Sequence, residues 1–315
     1  MKRAFLKRAL ALAAVLGFAG NPAIADYDPK VLRIGFQKSA SLLTLLKAQG
    51  SVEKRFAAQG VDVKWVEFPA GPQLLEGLNV GAIDFGYVGE APPIFAQAAG
   101  ANFVYVGTEE PSPAAEAVLV PKNSPIKSVA ELKGKKVALN KGSNVHYLLV
   151  KLLEKHGLKY ADIQPAFLPP ADARAAFERG SVDAWVIWDP YTAAAEQQIG
   201  ARILADGKGV VNNYAFFLAE RQYAEKRGEV IRDLFDELQK QGQWIVANYR
   251  DAAARLAPLQ GLDPAVVEQS IRRYSNVIKP IVPAVLDEQQ KLADTFFELK
   301  LIPKAIRVKD AALLR

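Results

Sequence analysis

Cysteine is absent from the 315 residues of this sequence, and histidine occurs only twice. The lack of cysteine excludes disulfides, thiolate metal sites and cysteine nucleophiles, so noncovalent packing must hold the fold together. A chain of this length can bury enough apolar surface for that. The two histidines, His146 and His156, lie on different faces of one predicted helix, and we therefore predict no metal site.

The sequence also lacks the short motifs typical of common enzymes and nucleotide-binding proteins. It contains no G-x-S-x-G nucleophile elbow, no G-x-G-x-x-G fingerprint and no G-x-x-x-x-G-K-[ST] phosphate loop. It has no basic run of the kind that binds nucleic acid. We therefore expect no enzyme activity, no cofactor and no nucleic-acid partner.

No apolar run reaches the roughly 20 residues that a membrane-spanning helix needs. Residues 1–25 instead have the three parts of a cleavable secretory signal. These are four basic residues, an apolar stretch at Leu10–Ala19 and an A-x-A cleavage motif at Ala23-Ile24-Ala25. Cleavage before Asp26 changes the formal charge from +6 to 6 − 4 = +2. Because no cysteine is available to carry a lipid anchor, we expect a soluble periplasmic protein.

The remaining sequence alternates between β-rich runs and helical patterns, which favours parallel sheets with crossover helices. A first series of strands is predicted at 31–36, 61–68, 82–89, 103–110 and 116–122. The alternation then restarts, with strands at 135–140, 163–168, 182–188, 201–206 and 213–220. From about Arg221 the pattern is mainly helical. Two such series with a helical tail predict two α/β lobes.

Four loops are expected at the carboxyl ends of strands, immediately before helices: Gln37–Ser41, Pro69–Pro72, Gly89–Pro92 and Asn140–Asn144. Ligands of open α/β sheets bind at these ends, and helix N-termini there suit an anion. Among these loops, Gly142-Ser143 suggests an anion site most strongly. The glycine lets the backbone approach the ligand closely, and the serine hydroxyl can contact an oxyanion. An ordinary helix cap is the alternative interpretation.

Three further side chains lie beside these loops. Glu90 would repel an anion unless it caps a helix or pairs with a cation, so we place it next to the pocket. Trp188, at the exit of a strand, is a candidate aromatic wall, whereas simple packing is the alternative. Asp189 precedes a proline at a helix start and is first of all a capping candidate.

Several of these segments resemble the periplasmic solute-binding proteins of ABC importers for aliphatic sulfonates, a group close to the taurine and nitrate binders. The resemblance covers essentially the whole mature chain. The segments that carry it most specifically are RIGFQKS, EFPAGPQ, PADARAAF and WDPY. The chain departs from the family pattern where Lys-Ser-Ala-Ser follows Gln37, and at Val145 before His146.

The resemblance implies a periplasmic binding protein type 2 fold, with two α/β lobes joined by a two-strand hinge. Lobe 1 would comprise residues 26–118 and 218–315, and lobe 2 residues 119–217. The chain would cross between them near Val118–Pro121 and Phe216–Ala219. The ligand-binding residues implied are Gln37, Ser39, Pro69, Ala70, Gly71, Gly89, Glu90, Ser143, Asn144, Trp188 and Asp189.

The function implied is capture of an aliphatic sulfonate by closure of the lobes, followed by delivery to an inner-membrane ABC permease. The alkyl tail would meet Leu42, Leu43 and Trp188, and the protein would be a monomer. Two alternatives stay open. One is a related binder of taurine, nitrate, another small oxyanion or a thiamine-precursor pyrimidine. The other is a secreted α/β hydrolase.

Overall fold

A computed structural model of the chain describes residues 28–313. The predicted signal, residues 1–25, lies outside the described residues. The first sheet has the strand order β11-β4-β10-β3-β1-β2. Its strands are β1 (Val31–Phe36), β2 (Asp62–Glu67), β3 (Phe85–Gly89), β4 (Phe103–Glu109), β10 (Ala215–Glu220) and β11 (Ile278–Pro280). Strands β1, β2 and β3 are parallel, whereas β10 lies antiparallel between β3 and β4.

The second sheet has the order β7-β6-β8-β5-β9. Its strands are β5 (Glu116–Val120), β6 (Lys136–Leu139), β7 (Gln164–Phe167), β8 (Ala184–Trp188) and β9 (Arg202–Asp206). Strands β6, β7 and β8 are parallel, and β5 lies antiparallel between β8 and β9. Both sheets therefore combine a parallel βαβ part with a returning antiparallel strand.

Twelve α-helices occur in the described chain. They are α1 (Ser41–Gln49), α2 (Ser51–Ala57), α3 (Gly71–Asn79), α4 (Ala91–Ala98), α5 (Asn144–Lys155), α6 (Pro170–Glu178), α7 (Tyr191–Ile199), α8 (Arg221–Lys226), α9 (Gly228–Ala247), α10 (Tyr249–Gln260), α11 (Pro264–Arg273) and α12 (Pro283–Glu298). None of the helices in this range is long and apolar enough to cross a membrane.

The chain crosses between the sheets in residues 110–115 and 207–214, a few residues before each predicted crossing. The prediction differs because β5 belongs entirely to the second sheet and β10 entirely to the first. The two crossovers lie side by side. The Ser112 N–H donates to the carbonyl oxygens of Asn212 (3.1 Å) and Asn213 (3.3 Å), and the Asn213 amide donates to the Ser112 carbonyl (2.8 Å).

Two local features complete the first lobe. The helical segment after β1 is divided at Gly50, whose φ of 61° ends α1 and begins α2. The tail after Arg221 contains one short strand, β11, which pairs with the edge of β4.

Each sheet carries its own apolar core. Leu32, Ile34 and Phe217 belong to a buried cluster on one side of the first sheet, and Leu74 and Phe216 to a cluster on the other side. The second sheet buries Trp185, which is fully enclosed. The separate cores make two lobes, and the connections between them place the carboxyl ends of the parallel strands at one shared cleft.

Candidate functional site

Four helices begin at the cleft between the sheets. Helices α1, α3 and α4 follow β1, β2 and β3 in the first lobe, and α5 follows β6 in the second. The first N–H groups of an α-helix have no partner within the helix, and they carry a partial positive charge. No side chain of the described chain caps any of these four N-termini. Pro72 removes one such donor from α3, and Pro92 and Pro93 remove two from α4. The N–H groups that remain are available to the oxygens of an anion.

The cleft has a volume of about 520 Å³, open mouth included. Among the described residues that line it, none is a lysine, an arginine or a carboxylate. The lining consists of Gln37, Ser39, Gly71, Tyr87, Gly89, Pro92, Ser112, Ser143, Asn144, Trp188, Asn213, Ala215 and Tyr274. An anion held here would be stabilised by hydrogen bonds and helix dipoles instead of a full opposite charge.

Seven predicted site residues line this cleft: Gln37, Ser39, Gly71, Gly89, Ser143, Asn144 and Trp188. They come together because each follows a parallel strand or begins the helix after it. The Gln37 amide donates to the Tyr87 carbonyl at 3.2 Å. The Ser143 hydroxyl donates to the Asn140 carbonyl at 2.7 Å, and Gly142 just before it has a φ of 76° that favours glycine.

Four predicted site residues do not line the cleft. Pro69 is exposed on the loop after β2, and Ala70, on the same loop of the first lobe, is buried against the apolar cluster of the second lobe. Glu90 and Asp189 are buried beside the cleft in other interactions, described below. Leu42 and Leu43, the predicted tail contacts, are buried in the core of the first lobe, because α1 turns them toward the sheet.

Glu90 faces the crossover segments. One carboxylate oxygen accepts the Tyr214 N–H at 2.9 Å, and the other has no hydrogen-bond partner within the described chain. Burial raises the pKa of Glu90 to about 8, although the Tyr214 N–H lowers it in part. The carboxyl is therefore mainly protonated at neutral pH, and it places little negative charge near the cleft.

Asp189 is fully buried at the start of α7. Its carboxylate accepts the Ala193 N–H at 2.9 Å, which is the capping role that the sequence suggests. The Arg273 guanidinium lies 3.4 Å from its second oxygen. Burial raises the pKa of Asp189 to about 7, and Arg273 opposes that rise. Asp189 thus anchors α7 to α11.

Asn144 connects the second lobe to a crossover. Its amide donates to the Glu116 carboxylate at 2.7 Å and to the Asn213 side-chain oxygen at 2.9 Å. Burial raises the pKa of Glu116 well above its usual range, and the nearby Glu90 carboxyl raises it further. The raised pKa disfavours a negative charge beneath the N-terminus of α5. The hydrogen bonds also fix Asn144 at the mouth of the cleft.

Sequence reasoning missed four polar residues of the cleft: Tyr87, Ser112, Asn213 and Tyr274. The Tyr87 hydroxyl donates to Glu109 at 2.5 Å, and the Tyr274 hydroxyl donates to the Asp189 carbonyl at 3.0 Å. Ser112 and Asn213 lie on the crossovers, which the family resemblance places a few residues later. Tyr274 follows α11 in the helical tail. Only the fold brings these residues together, and no local motif marks them.

A neutral, donor-rich cleft between two α/β lobes is the arrangement of the two-lobed solute-binding proteins. Residues 55–252 match the family model described as NMT1/THI5 like. The periplasmic aliphatic sulphonate binding protein SsuA from Escherichia coli is 47% identical, with a TM-score of 0.83 over 90% of this chain and 92% of that chain. The alkanesulfonate-binding protein SsuA from Xanthomonas axonopodis pv. citri, bound to MOPS, is 44% identical, with a TM-score of 0.87 over 91% of this chain and 99% of that one. The chain belongs to this NMT1/THI5-like family, in its group of aliphatic sulfonate-binding proteins.

A more distant structure shows the fold alone. A mutant of DSZB in complex with biphenyl-2-sulfinic acid is 16% identical, with a TM-score of 0.66 over 90% of this chain and 96% of that chain. A second structure of the same protein describes it as a desulfurization enzyme. The fold therefore does not decide between binding and catalysis. The predicted α/β architecture with two lobes is confirmed by these comparisons.

Proposed function

We propose that this protein is the substrate-binding component of an ABC importer for aliphatic sulfonates. The observation that carries the proposal is the convergence of four uncapped helix N-termini on a cleft whose described lining has no ionised side chain. A sulfonate presents three oxygens to such donors. The identity of 44–47% to two sulfonate-binding proteins supports this ligand class over taurine, nitrate or a pyrimidine.

Ligand capture takes place by closure of the lobes. Gln37 and Gly71 contact the ligand from the first lobe, and Ser143 and Asn144 from the second. A ligand that touches both lobes binds the closed form better than the open form, and only such a difference shifts the equilibrium. The crossovers at 110–115 and 207–214 are the hinge. The closed form then docks, as a monomer, on an inner-membrane permease.

The proposal includes export to the periplasm after removal of residues 1–25, and it includes no catalytic step. The relative from Escherichia coli is described as periplasmic. Mass spectrometry of the amino terminus of the secreted protein tests cleavage before Asp26. Mass spectrometry of the ligand after prolonged incubation tests the absence of turnover: an altered ligand would instead support the hydrolase alternative.

Isothermal titration calorimetry with butanesulfonate, taurine, nitrate, sulfate and a thiamine-precursor pyrimidine tests the ligand class. We expect butanesulfonate to bind most tightly. In Gln37→Leu, affinity should fall about tenfold, because a hydrogen bond to a charged group contributes roughly 1.5–3 kcal/mol. Gln164→Leu, on the exposed edge strand β7, is the matched control and should leave the affinity unchanged. Tighter binding of another ligand in the panel would overturn the proposal.

A further inference from the structure

A second cavity, of about 740 Å³ with its open mouth included, lies beside the cleft. Helices α3 and α4 form its walls, and the turn at Lys141-Gly142 from the second lobe covers one end. Its walls are mainly apolar, with Leu75 buried and Phe95 half-buried. The charged side chains of Glu76 and Lys141 are exposed. We call this cavity the α3–α4 groove.

The groove follows one face of each helix. On α3 it is lined by residues 72, 75, 76 and 79, and on α4 and just beyond its end by residues 92, 95, 96 and 99. Both sets follow the i, i+3, i+4, i+7 spacing of one helix face. Seven residues of helix correspond to a length of about 10 Å. The groove is therefore a channel that runs parallel to the two helices.

The groove adjoins the anion cleft. Pro92 lines both cavities. Gly71 and Ser143 line the cleft, while the adjacent residues Pro72 and Gly142 line the groove. A ligand whose charged group lies at the helix N-termini therefore has an apolar groove on the far side of Pro92.

We propose that the α3–α4 groove binds the alkyl tail of the sulfonate. This inference rests on the proposed function and replaces Leu42 and Leu43 as the tail contacts. The occupant follows from the adjacency of the two cavities and from their contrast in polarity. A tail that leaves the neutral, hydrogen-bonding cleft would bury its methylenes against Leu75, Phe95 and Ala96.

The groove also makes tail binding depend on lobe closure. Gly142 belongs to the second lobe, and a Cβ built on it would lie 3.5 Å from the ring of Phe95 in the first lobe. The turn therefore touches the groove wall when the lobes are together. A longer tail gains contact with both lobes, so it should favour the closed form as well as add affinity.

The expected signature is a dependence of affinity on chain length. Burial of one methylene contributes about 0.8 kcal/mol, which corresponds to roughly fourfold in affinity. In the wild-type protein, calorimetry with ethane-, butane-, hexane- and octanesulfonate should show such a rise until the groove is filled. Sulfonates that bind with equal affinity at every length would overturn the groove assignment but keep the proposed function. If no sulfonate bound at all, the proposed function itself would fail.

A groove-filling variant gives the second measurement. Ala99→Trp introduces an indole at an exposed lining position, so the fold should tolerate it. Octanesulfonate should then bind about tenfold more weakly, whereas ethanesulfonate should change less than about twofold. Ala57→Trp, at the exposed end of α2, is the matched control and should change neither affinity. An equal loss for both ligands in Ala99→Trp, or no loss for either, would overturn the assignment.

Discussion

Glu90 shows how a residue can stand next to a binding site without belonging to it. The family resemblance implies a ligand contact for Glu90, whereas the charge of its carboxylate suggests a place next to the pocket. The carboxyl instead turns toward Tyr214, and burial keeps it mainly protonated. The direction of a side chain depends on what packs around it, and the spacing of residues in the sequence does not contain that information.

The raised pKa of Glu90 makes the stability of the protein depend on pH. The pKa rises from 4.5 in the unfolded chain to about 8 in the folded one. The raised pKa therefore lowers the free energy of unfolding. This penalty is absent below about pH 4.5, grows with pH and levels off above about pH 8. Glu90→Gln removes the penalty. We expect its stability advantage over the wild type to increase by about 3 kcal/mol between pH 5 and pH 8.

Urea unfolding at several pH values measures this effect. The matched control is Glu298→Gln, an exposed position at the end of α12. It should retain the pH dependence of the wild type. If Glu90→Gln gave a constant stability difference at all pH values, Glu90 would titrate normally in the folded protein.

At the scale of elements, the two lobes share a detail that the sequence hints at. In both, a glycine lies two residues after the end of a helix, Gly81 after α3 and Gly180 after α6, and an aspartate follows three residues later, Asp84 or Asp183. In each case the aspartate side chain accepts a backbone N–H from the neighbouring parallel strand, that of Arg33 at 2.7 Å and that of Lys136 at 2.8 Å. The aspartates therefore fix the register at the start of β1 and β6.

Only Asp84 also holds an ion pair within the described part of the chain. The Arg33 guanidinium donates two bonds of 2.9 Å to its carboxylate, which is nearly inaccessible to solvent. Asp84→Ala leaves a partly buried arginine without its partner, and we expect a loss of about 3 kcal/mol in the free energy of unfolding. Asp183→Ala, at the exposed counterpart, should cost about 1 kcal/mol. Equal losses in the two variants, measured by chemical denaturation, would contradict this difference.

Local patterns predict the elements well where strands are β-rich and separated by clear turns, as from β1 to β8. They also predict Gln37, Gly71 and Ser143 in one cleft, because carboxyl ends of parallel strands meet at one edge. They miss the insertion of β10 between β3 and β4, since pairing between distant segments leaves no periodic signal. Ser112, Asn213 and Tyr274 are missed for the same reason.

At the scale of the whole molecule, Gly89 and Asn144 control how closely the lobes approach. A Cβ on Gly89 would lie 2.9 Å from the Asn144 side-chain oxygen. That side chain cannot easily move, because Glu116 and Asn213 bind its amide. Gly89→Ala should therefore hold the lobes apart and weaken sulfonate binding about tenfold, within the roughly 1–3 kcal/mol of an overpacked contact.

Small-angle scattering with saturating ligand distinguishes this effect from the loss of a direct contact. Gly89→Ala should keep a larger radius of gyration than the liganded wild type. The double variant Gly89→Ala/Asn144→Ala removes the clash, so it should close again even though Asn144 no longer contacts the ligand. A single variant as compact as the wild type would show that Gly89 does not limit closure.

The position of β10 has a consequence for biosynthesis. Strands β3 and β4 are both complete by residue 109, but the strand that joins them is made only at residues 215–220. Until then, the emerging chain carries two open sheet edges, which are sites for pairing with other chains. The first lobe thus reaches its final form after the second lobe has been synthesised. A protein truncated before residue 215 cannot yield an isolated first lobe, and the nascent chain needs protection from aggregation over that whole interval.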